Sequence, residues 1–282
     1  MKKLLLLLLV LSSLPLQAAV IGSWAQDEAS GNLIDSTGNH PAGTPAGSPT
    51  YGQPGVPNGT YGSISVSGAA GTAIEYGPSS ADEYFIVGTD NNNPVMNLDR
   101  TGAFTVMGWI NPFAPTANST YRIISTGSAA GADRGWGFGL RLNGLDGTGS
   151  SLRFTTYGIA DNDSDPFSIN FNQWIHMAAT YNNGAINYFL NGVALGGSDT
   201  SLFGNESVNG RLVIGGRLGG NDVDQANGLL DGIRVYDELF SATQIQDAAA
   251  LSVVPEPSTF LLGALGAFCL LLWKRRLKNT SR

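Results

Sequence analysis

Trp174-Ile175-His176-Met177-Ala178-Ala179-Thr180-Tyr181 runs into Asn182-Asn183-Gly184, and Ala185-Ile186-Asn187-Tyr188-Phe189-Leu190 runs into Asn191-Gly192. β-Branched and aromatic residues recur in both runs, and the Asn and Gly residues between them tolerate positive φ. Two hairpin turns so close together predict an antiparallel meander that ends at Val193–Leu195. Working outward, the same composition marks strands at Ala103–Ile110, Tyr121–Ser125, Trp136–Leu142, Leu152–Thr156, Arg211–Ile214 and Gly228–Tyr236, with Gly, Asn and Asp between them. One short helix is expected over Ala242–Ala250, with Ser241 at its N-cap. The class is all-β, a sandwich of short antiparallel strands.

The two ends read differently from this body. Lys2-Lys3 precedes the apolar run Leu4–Leu11, followed by Pro15 and Gln17-Ala18-Ala19, which is the layout of a secretory signal peptide over residues 1–18. Near the other end, Phe260–Trp273 is 14 residues without a charge, followed by Lys274-Arg275-Arg276. A helix of that length spans only ~21 Å of a ~30 Å hydrocarbon core, and flanking cations that snorkel extend its reach. A short transmembrane helix is expected, with its basic end cytoplasmic.

Removing both ends sharpens the chemistry. Of 282 residues, 19–253 form the body, a length that one β-sandwich domain commonly uses. This body carries 8 basic residues, all Arg, against 21 acidic ones, a net charge of −13. No basic stripe remains to neutralise phosphates, so nucleic acid is excluded as a partner; cations and neutral polymers fit better. The single cysteine, Cys269, lies in the apolar tail, so the body has neither disulfides nor thiolate chemistry.

Two resemblances follow from quoted residues. Val254-Pro255-Glu256-Pro257-Ser258, with the apolar run and basic cluster behind it, resembles the PEP-CTERM sorting signal of Gram-negative, exopolysaccharide-producing bacteria. The resemblance makes Pro255, Glu256 and Pro257 the sorting signal of a tail spanning 254–282. It implies recognition by an exosortase-type membrane protease, a membrane-anchored intermediate, removal of the tail, and delivery to the cell surface or extracellular matrix. In the body, four pieces in order resemble the LamG-like, concanavalin A-like jelly-roll family. They are Trp24 with Asp27–Gly31 and Asp35-Ser36-Thr37-Gly38-Asn39; Phe104–Ile110; the Trp174–Gly192 hairpin; and Gly228–Tyr236 with Leu239–Ile245 after it. The resemblance implies a concanavalin A-like jelly-roll sandwich of two antiparallel sheets. Gly232 departs from the family, which usually has an acid there, and strand pairing across the Gly/Pro-rich Pro41–Gly62 stays open.

Strand alternation groups Asp231 with Leu229, Ile233 and Val235, and sends Leu230, Arg234 and Tyr236 to the other face. A carboxylate in phase with apolar neighbours is partly buried and needs a partner, either backbone donors or a cation. The family resemblance implies a possible Ca²⁺ at the sandwich rim, held by Asp231 with Asp35 and Asn39 of the Asp35–Asn39 loop. Asp161-Asn162-Asp163-Ser164-Asp165 looks like a calcium loop but has Pro166 and Asn172 where an EF-hand needs Gly and Glu, so it reads as a solvated loop. His176 has no Ser–His–acid pattern around it and reads as a packed, hydrogen-bonded structural histidine. Trp136, Tyr157 and Phe167, beside loops rich in Asn, Asp and Gly, are candidates for stacking on sugars, with core packing as the competing reading.

Some relatives of this fold cleave β-glucans with acids two to four residues apart on one strand. Leu152–Thr156 has no acid, and Gly228–Tyr236 has only Asp231. No catalysis is therefore expected. The expectation is an exported, non-catalytic surface or matrix protein that binds extracellular polysaccharide or a surface glycan. The alternatives are a structural matrix component without a ligand and, less favoured, a carbohydrate-active enzyme.

Overall fold

The computed structural model describes residues 19–67, 71–77, 83–88, 102–127, 135–197, 211–218 and 224–252. The expected signal helix at 1–18 lies outside the described residues, as do the sorting signal Pro255, Glu256 and Pro257 and the transmembrane helix behind it. Among the described residues seventeen strands run in chain order as β1 (Val20–Trp24), β2 (Thr44–Ala46), β3 (Thr50–Pro54), β4 (Gly59–Tyr61), β5 (Ile64–Val66), β6 (Thr72–Tyr76), β7 (Tyr84–Ile86), β8 (Ala103–Pro112) and β9 (Ser119–Gly127). They continue as β10 (Trp136–Leu142), β11 (Ser151–Thr156), β12 (Ala160–Asp163), β13 (Ile175–Asn182), β14 (Ala185–Leu190), β15 (Val193–Leu195), β16 (Arg211–Ile214) and β17 (Gly228–Tyr236). One helix, α1 (Ala242–Ser252), follows.

Two antiparallel sheets face each other. One has eight strands in the order β15-β14-β13-β8-β17-β6-β3, with β1 also paired to β17; the other has seven, β12-β11-β10-β9-β16-β7-β2. The expected meander is β13-β14-β15, turning at Asn183 (φ 46°) and Asn191 (φ 51°). Pairing is now assigned in the Gly/Pro-rich stretch: β2 adds to β7, β3 adds to β6, and β4-β5 is a separate hairpin.

Between the sheets, alternate residues of each strand close the core. Phe104, Trp136, Phe154 and Tyr181 form its aromatic centre, with Trp136 and Phe154 stacked at 5.6 Å and 6°. Burying such rings contributes more than their area alone, about 0.5–1.5 kcal/mol per pair. The outer face of the eight-stranded sheet is covered too. The β4-β5 hairpin and α1 bury Trp109, Trp174, Leu229, Val56 and Ile64 there, and Trp109 Nε1 donates to the Ala249 carbonyl at 3.2 Å. Helix α1 starts at a reciprocal cap. Ser241 Oγ accepts from Gln244 N at 3.3 Å, and Ser241 N donates to Gln244 Oε1 at 2.9 Å.

The central strand β17 departs from simple alternation. Its pairing with β8 slips between Asp231 and Arg234, and Gly232 adopts φ 54°. This bulge inverts the phase. Leu230, Ile233 and Val235 enter the main core, whereas Leu229 packs on the outer face beside Trp109. Asp231 is therefore not in phase with Ile233 and Val235, and Arg234 is close enough to act on its charge. The bulge is also where β17 changes partner, from β6 at Gly228–Leu230 to β1 at Ile233–Tyr236.

Gly232 is the residue that makes this geometry inexpensive, because a side chain in the left-handed region costs roughly 1–2 kcal/mol. Gly232→Ala should lower the unfolding free energy by about that amount in urea titrations without changing the far-UV spectrum. An unchanged midpoint would mean that the bulge is tolerant.

Candidate functional site

Strands β9 to β12 present a polar outer face. Alternation turns Tyr121, Phe138, Leu140, Leu152 and Phe154 into the core and leaves Arg122, Gly137, Gly139, Arg141, Arg153 and Thr155 on the other side. The two glycines make room: a Cβ on Gly137 would lie 2.5 Å from Tyr157 Oη and 3.0 Å from Arg122 Nη1. Tyr157 lies flat under two guanidinium groups, with Arg217 at 4.7 Å and Arg122 at 5.4 Å from its ring centroid.

Acids alternate with these arginines. Arg153 binds Asp163 through Nε and Nη2, both at 2.8 Å, and Asp161 through Nη1 at 2.8 Å; Arg141 Nη1 reaches Asp163 at 2.5 Å. Asp224 sits 3.3 Å from Arg217 Nη1 and 3.5 Å from Arg122 Nε. Burial works against the Asp163 charge, but the Arg153 hydrogen bonds and the Arg153 and Arg141 charges outweigh it and hold its carboxyl below the usual range. Burial pushes the Tyr157 hydroxyl up, and the two arginines only partly offset this. Arg122 is 3% exposed; its Nη2 donates to Thr155 Oγ1 at 3.0 Å, while its buried Nη1 has no partner in the protein. A hollow of about 230 Å³, lined by Asn118, Ser119, Thr120, Arg141, Arg153 and Asp224, opens beside this cluster.

The candidate sugar-stacking residues fare unevenly. Trp136 is not exposed: it has no accessible surface and stacks inside the core, because it shares a strand face with Phe138 and Leu140. Phe167 is half-buried against the main core and bridges Ser150, away from the arginine face. Tyr157 is on that face, yet its ring is roofed by Arg122 and Arg217. Sequence reasoning passed over the arginines themselves. The available signal was their position, since Arg122, Arg141 and Arg153 each occupy the polar phase of a strand.

Asp161–Asp165 is also corrected, because it is not a solvated loop. Ala160–Asp163 is the edge strand β12, paired with β11, and the arginines neutralise its two outward acids. An acid-x-acid pattern therefore exists after all, on a segment whose composition reads as turn.

The expected calcium residues are each engaged otherwise. Asp35 Oδ1 accepts from Ser23 N (2.9 Å) and Thr37 N (3.0 Å). Its Oδ2 accepts from Thr37 Oγ1 (2.6 Å), Asn39 N (3.1 Å) and His40 N (3.1 Å), with His40 Nδ1 at 2.7 Å. Burial opposes this charge, but the bonds from His40, Thr37 and Ser23 prevail and lower its pKa to about 2. Asn39 donates its side-chain amide to the Ile21 carbonyl. Asp231, at the bulge, accepts from Val56 N at 3.2 Å. Burial pushes its carboxyl far above the ordinary range, the Asp27 charge adds to this, and the Val56 and Gly232 N–H groups offset it only in part. The Asp35 carboxylate is therefore ringed by N–H and O–H donors, whereas Asn39 is held through its amide nitrogen. The expected calcium residues are thus engaged in hydrogen bonds within the protein, Asp35 and Asn39 with the N-terminal segment and Asp231 with Val56. Among the described residues no cluster of three or more acids, histidines or cysteines is placed to hold a metal.

His176 is packed, edge-on to Trp109 at 5.0 Å, but neither ring nitrogen has a hydrogen-bond partner. Burial alone takes its pKa down to about 3, so it stays neutral.

With the geometry set out, comparison with known proteins defines the class. Residues 79–246 match the profile of the concanavalin A-like lectin/glucanases superfamily, and the chain belongs to it. Residues 253–276 match the PEP-CTERM protein-sorting motif, which marks an exported protein handled by an exosortase-type system. Domain 4 of an extracellular GH43 arabinanase from Geobacillus stearothermophilus, solved with arabinotriose, is 21% identical. It aligns over 83% of this chain and 99% of its own, with a TM-score of 0.53. A sialidase from Trypanosoma rangeli, solved with sialic acid, is 12% identical with a TM-score of 0.54; the match covers 82% of this chain and 32% of the sialidase. Both likenesses are likenesses of fold. No curated protein sequence matches the chain.

Asp231 yields a pH test. Its folded pKa lies above the ordinary 3.8, so the native state keeps a proton that the unfolded chain releases. Its contribution to stability is therefore present below pH about 4 and is lost as pH rises. Asp231→Asn keeps the shape without the titration. The melting temperature of Asp231→Asn should match wild type near pH 4 and exceed it by a few degrees near pH 8. A pH-independent gap would show that Asp231 is not protonated in the fold.

Proposed function

We propose that this protein is a non-catalytic glycan-binding protein of the cell surface or extracellular matrix, released from its membrane-anchored form by an exosortase-type protease. Its binding site is the arginine and aspartate face of the seven-stranded sheet. The observation that carries this reading is the alternation of guanidinium and carboxylate groups, Arg141–Asp163–Arg153–Asp161 and Arg217–Asp224–Arg122, of which Arg141, Arg153 and Asp224 line an open hollow. A sugar hydroxyl both donates and accepts a hydrogen bond, so adjacent donors and acceptors held rigidly by salt bridges match a polyol better than they match an apolar ligand. The arabinotriose bound to the related arabinanase domain supports a sugar on this fold.

The same pairing supports a role without catalysis. Glycoside hydrolysis needs one carboxylic acid kept protonated near neutral pH beside a second carboxylate. Here Asp161 and Asp163 share Arg153, and Asp163 is held in its charged form.

A glycan array of plant and bacterial oligosaccharides, followed by titration calorimetry with the strongest binder, tests the reading. Arg141→Ala, at a half-exposed site that the core does not need, should weaken binding by about tenfold or more while the melting temperature barely moves. Release of reducing ends from any bound polysaccharide would overturn the non-catalytic assignment. Unchanged affinity in Arg141→Ala would remove this face as the site.

A further inference from the structure

The molecule has a second hollow of different chemistry, about 580 Å³, between the β4-β5 hairpin and the 168–174 loop. We infer that it is an independent binding site for an uncharged saccharide, on a part of the molecule separate from the arginine face. Its volume falls within the roughly 300–1,000 Å³ usual for small-ligand sites. Tyr61 and Trp174 supply aromatic surface, and Thr60, Ser168, Asn170 and Gln173 supply neutral hydroxyl and amide groups. Among the described residues no Asp, Glu, Lys or Arg lines it. A hollow of this size without an ionic group offers neutral donors and acceptors and no counter-charge. A pyranose or furanose offers C–H faces to the rings and hydroxyls to the amides. A carboxylated sugar finds no counter-charge there and would leave its own charge partly desolvated.

The walls are fixed before any ligand arrives. Gly62 (φ 56°) lets the hairpin press onto the Asn191-Gly192 turn, where a Cβ would lie 2.6 Å from the Asn191 carbonyl oxygen, and Ser63 N donates to that same oxygen at 3.0 Å. Asn191 in turn accepts from His176 N through Oδ1 at 2.8 Å, and α1 holds the turn from behind through Gln246 Nε2 to the Gly192 carbonyl at 2.9 Å. Opposite, Asn172 (φ 60°) donates its N–H to the Pro112 carbonyl at 2.9 Å. The Tyr61 ring is set edge-on to Trp109 at 5.0 Å, and its hydroxyl donates to the Pro57 carbonyl at 2.9 Å. Little ordering remains for binding to impose, which favours affinity from few contacts.

The test uses the full-length chain in mild detergent, with arabinotriose, cellotriose and mannotriose as neutral probes and tri-galacturonate as the charged one, by calorimetry and ligand-observed NMR. At least one neutral trisaccharide should bind with an affinity that salt leaves unchanged. The exposed pair Asn170→Ala/Gln173→Ala should weaken it about tenfold or more, and Tyr61→Ala likewise. Arg141→Ala weakens the sheet-face site, so the paired substitution is also tested in that background, where the neutral-sugar binding that remains belongs to this hollow. Tyr61 touches buried neighbours, so the Asn170/Gln173 pair decides the matter if Tyr61→Ala folds poorly. Absence of binding by all three neutral probes up to about 10 mM overturns the inference, as does binding in the Arg141→Ala background that survives the paired substitution. Loss of neutral-sugar binding in Arg141→Ala would also overturn it, by moving the site to the sheet face. Failure of the arginine face to bind any glycan would leave this result standing, and the two readings fail separately.

Discussion

The bulge at Gly232 is the constraint on which the rest of the architecture depends. β17 is hydrogen-bonded on one side to β8 along most of its length, and on the other to two strands in succession, β6 and then β1. A straight strand would put Asp231 in phase with Ile233 and Val235, and so point a carboxyl at the aromatic core. The extra residue moves it to the outer face, where Val56 N–H meets it, and leaves Leu230, Ile233 and Val235 facing inward. One residue with positive φ thus separates a dry core from a carboxyl that shares its strand.

The two sheets have different partners on their outer faces, and this divides structural from binding duties. The eight-stranded sheet is covered by the β4-β5 hairpin and α1, so both of its faces are apolar and buried. The outer face of the seven-stranded sheet is left to Arg, Asp and Gly, whose salt bridges rigidify it without burying it under another layer. Rigid, partly solvated ion pairs add little to stability. Their worth here lies in holding donors and acceptors at fixed positions.

Regular segments were legible in the chain, and departures from regularity were not. Trp174–Leu195 declares its strands and turns because periodicity, β-propensity and Asn-Gly chemistry all agree. The phase of β17 was misread because alternation was carried straight through Gly232, the one residue able to break it. Trp136 belongs to the core for a reason present in its own strand, the Trp136, Phe138, Leu140 and Leu142 series. Asp161-Asn162-Asp163 has the composition of a turn, and it is a strand because β11 pairs with it and Arg153 and Arg141 neutralise it; both causes lie elsewhere in the chain. The Asp35 loop was recognisable through its resemblance to the family's Asp-Ser-x-Gly-Asn loop, but which groups its oxygens face is decided by φ and ψ, which composition does not encode.

The position of β17 also has a consequence in time. Strands β6, β8 and β1 all wait for a strand whose residues, 228–236, are among the last of the body to leave the cytoplasm during N-to-C export. Until then the eight-stranded sheet lacks its middle: β13-β14-β15 can form by local pairing with β8 added across a long loop, and β3 can pair with β6, but β1 and the β3-β6 pair have no place in the sheet. Long-range closure of this kind is slow and exposes unpaired edges meanwhile. The sorting motif begins within some twenty residues of β17, so a sandwich that closes before the tail is removed would close at the membrane rather than free in solution. Tethering at that moment would keep half-formed sheets apart during the interval in which they would otherwise find one another.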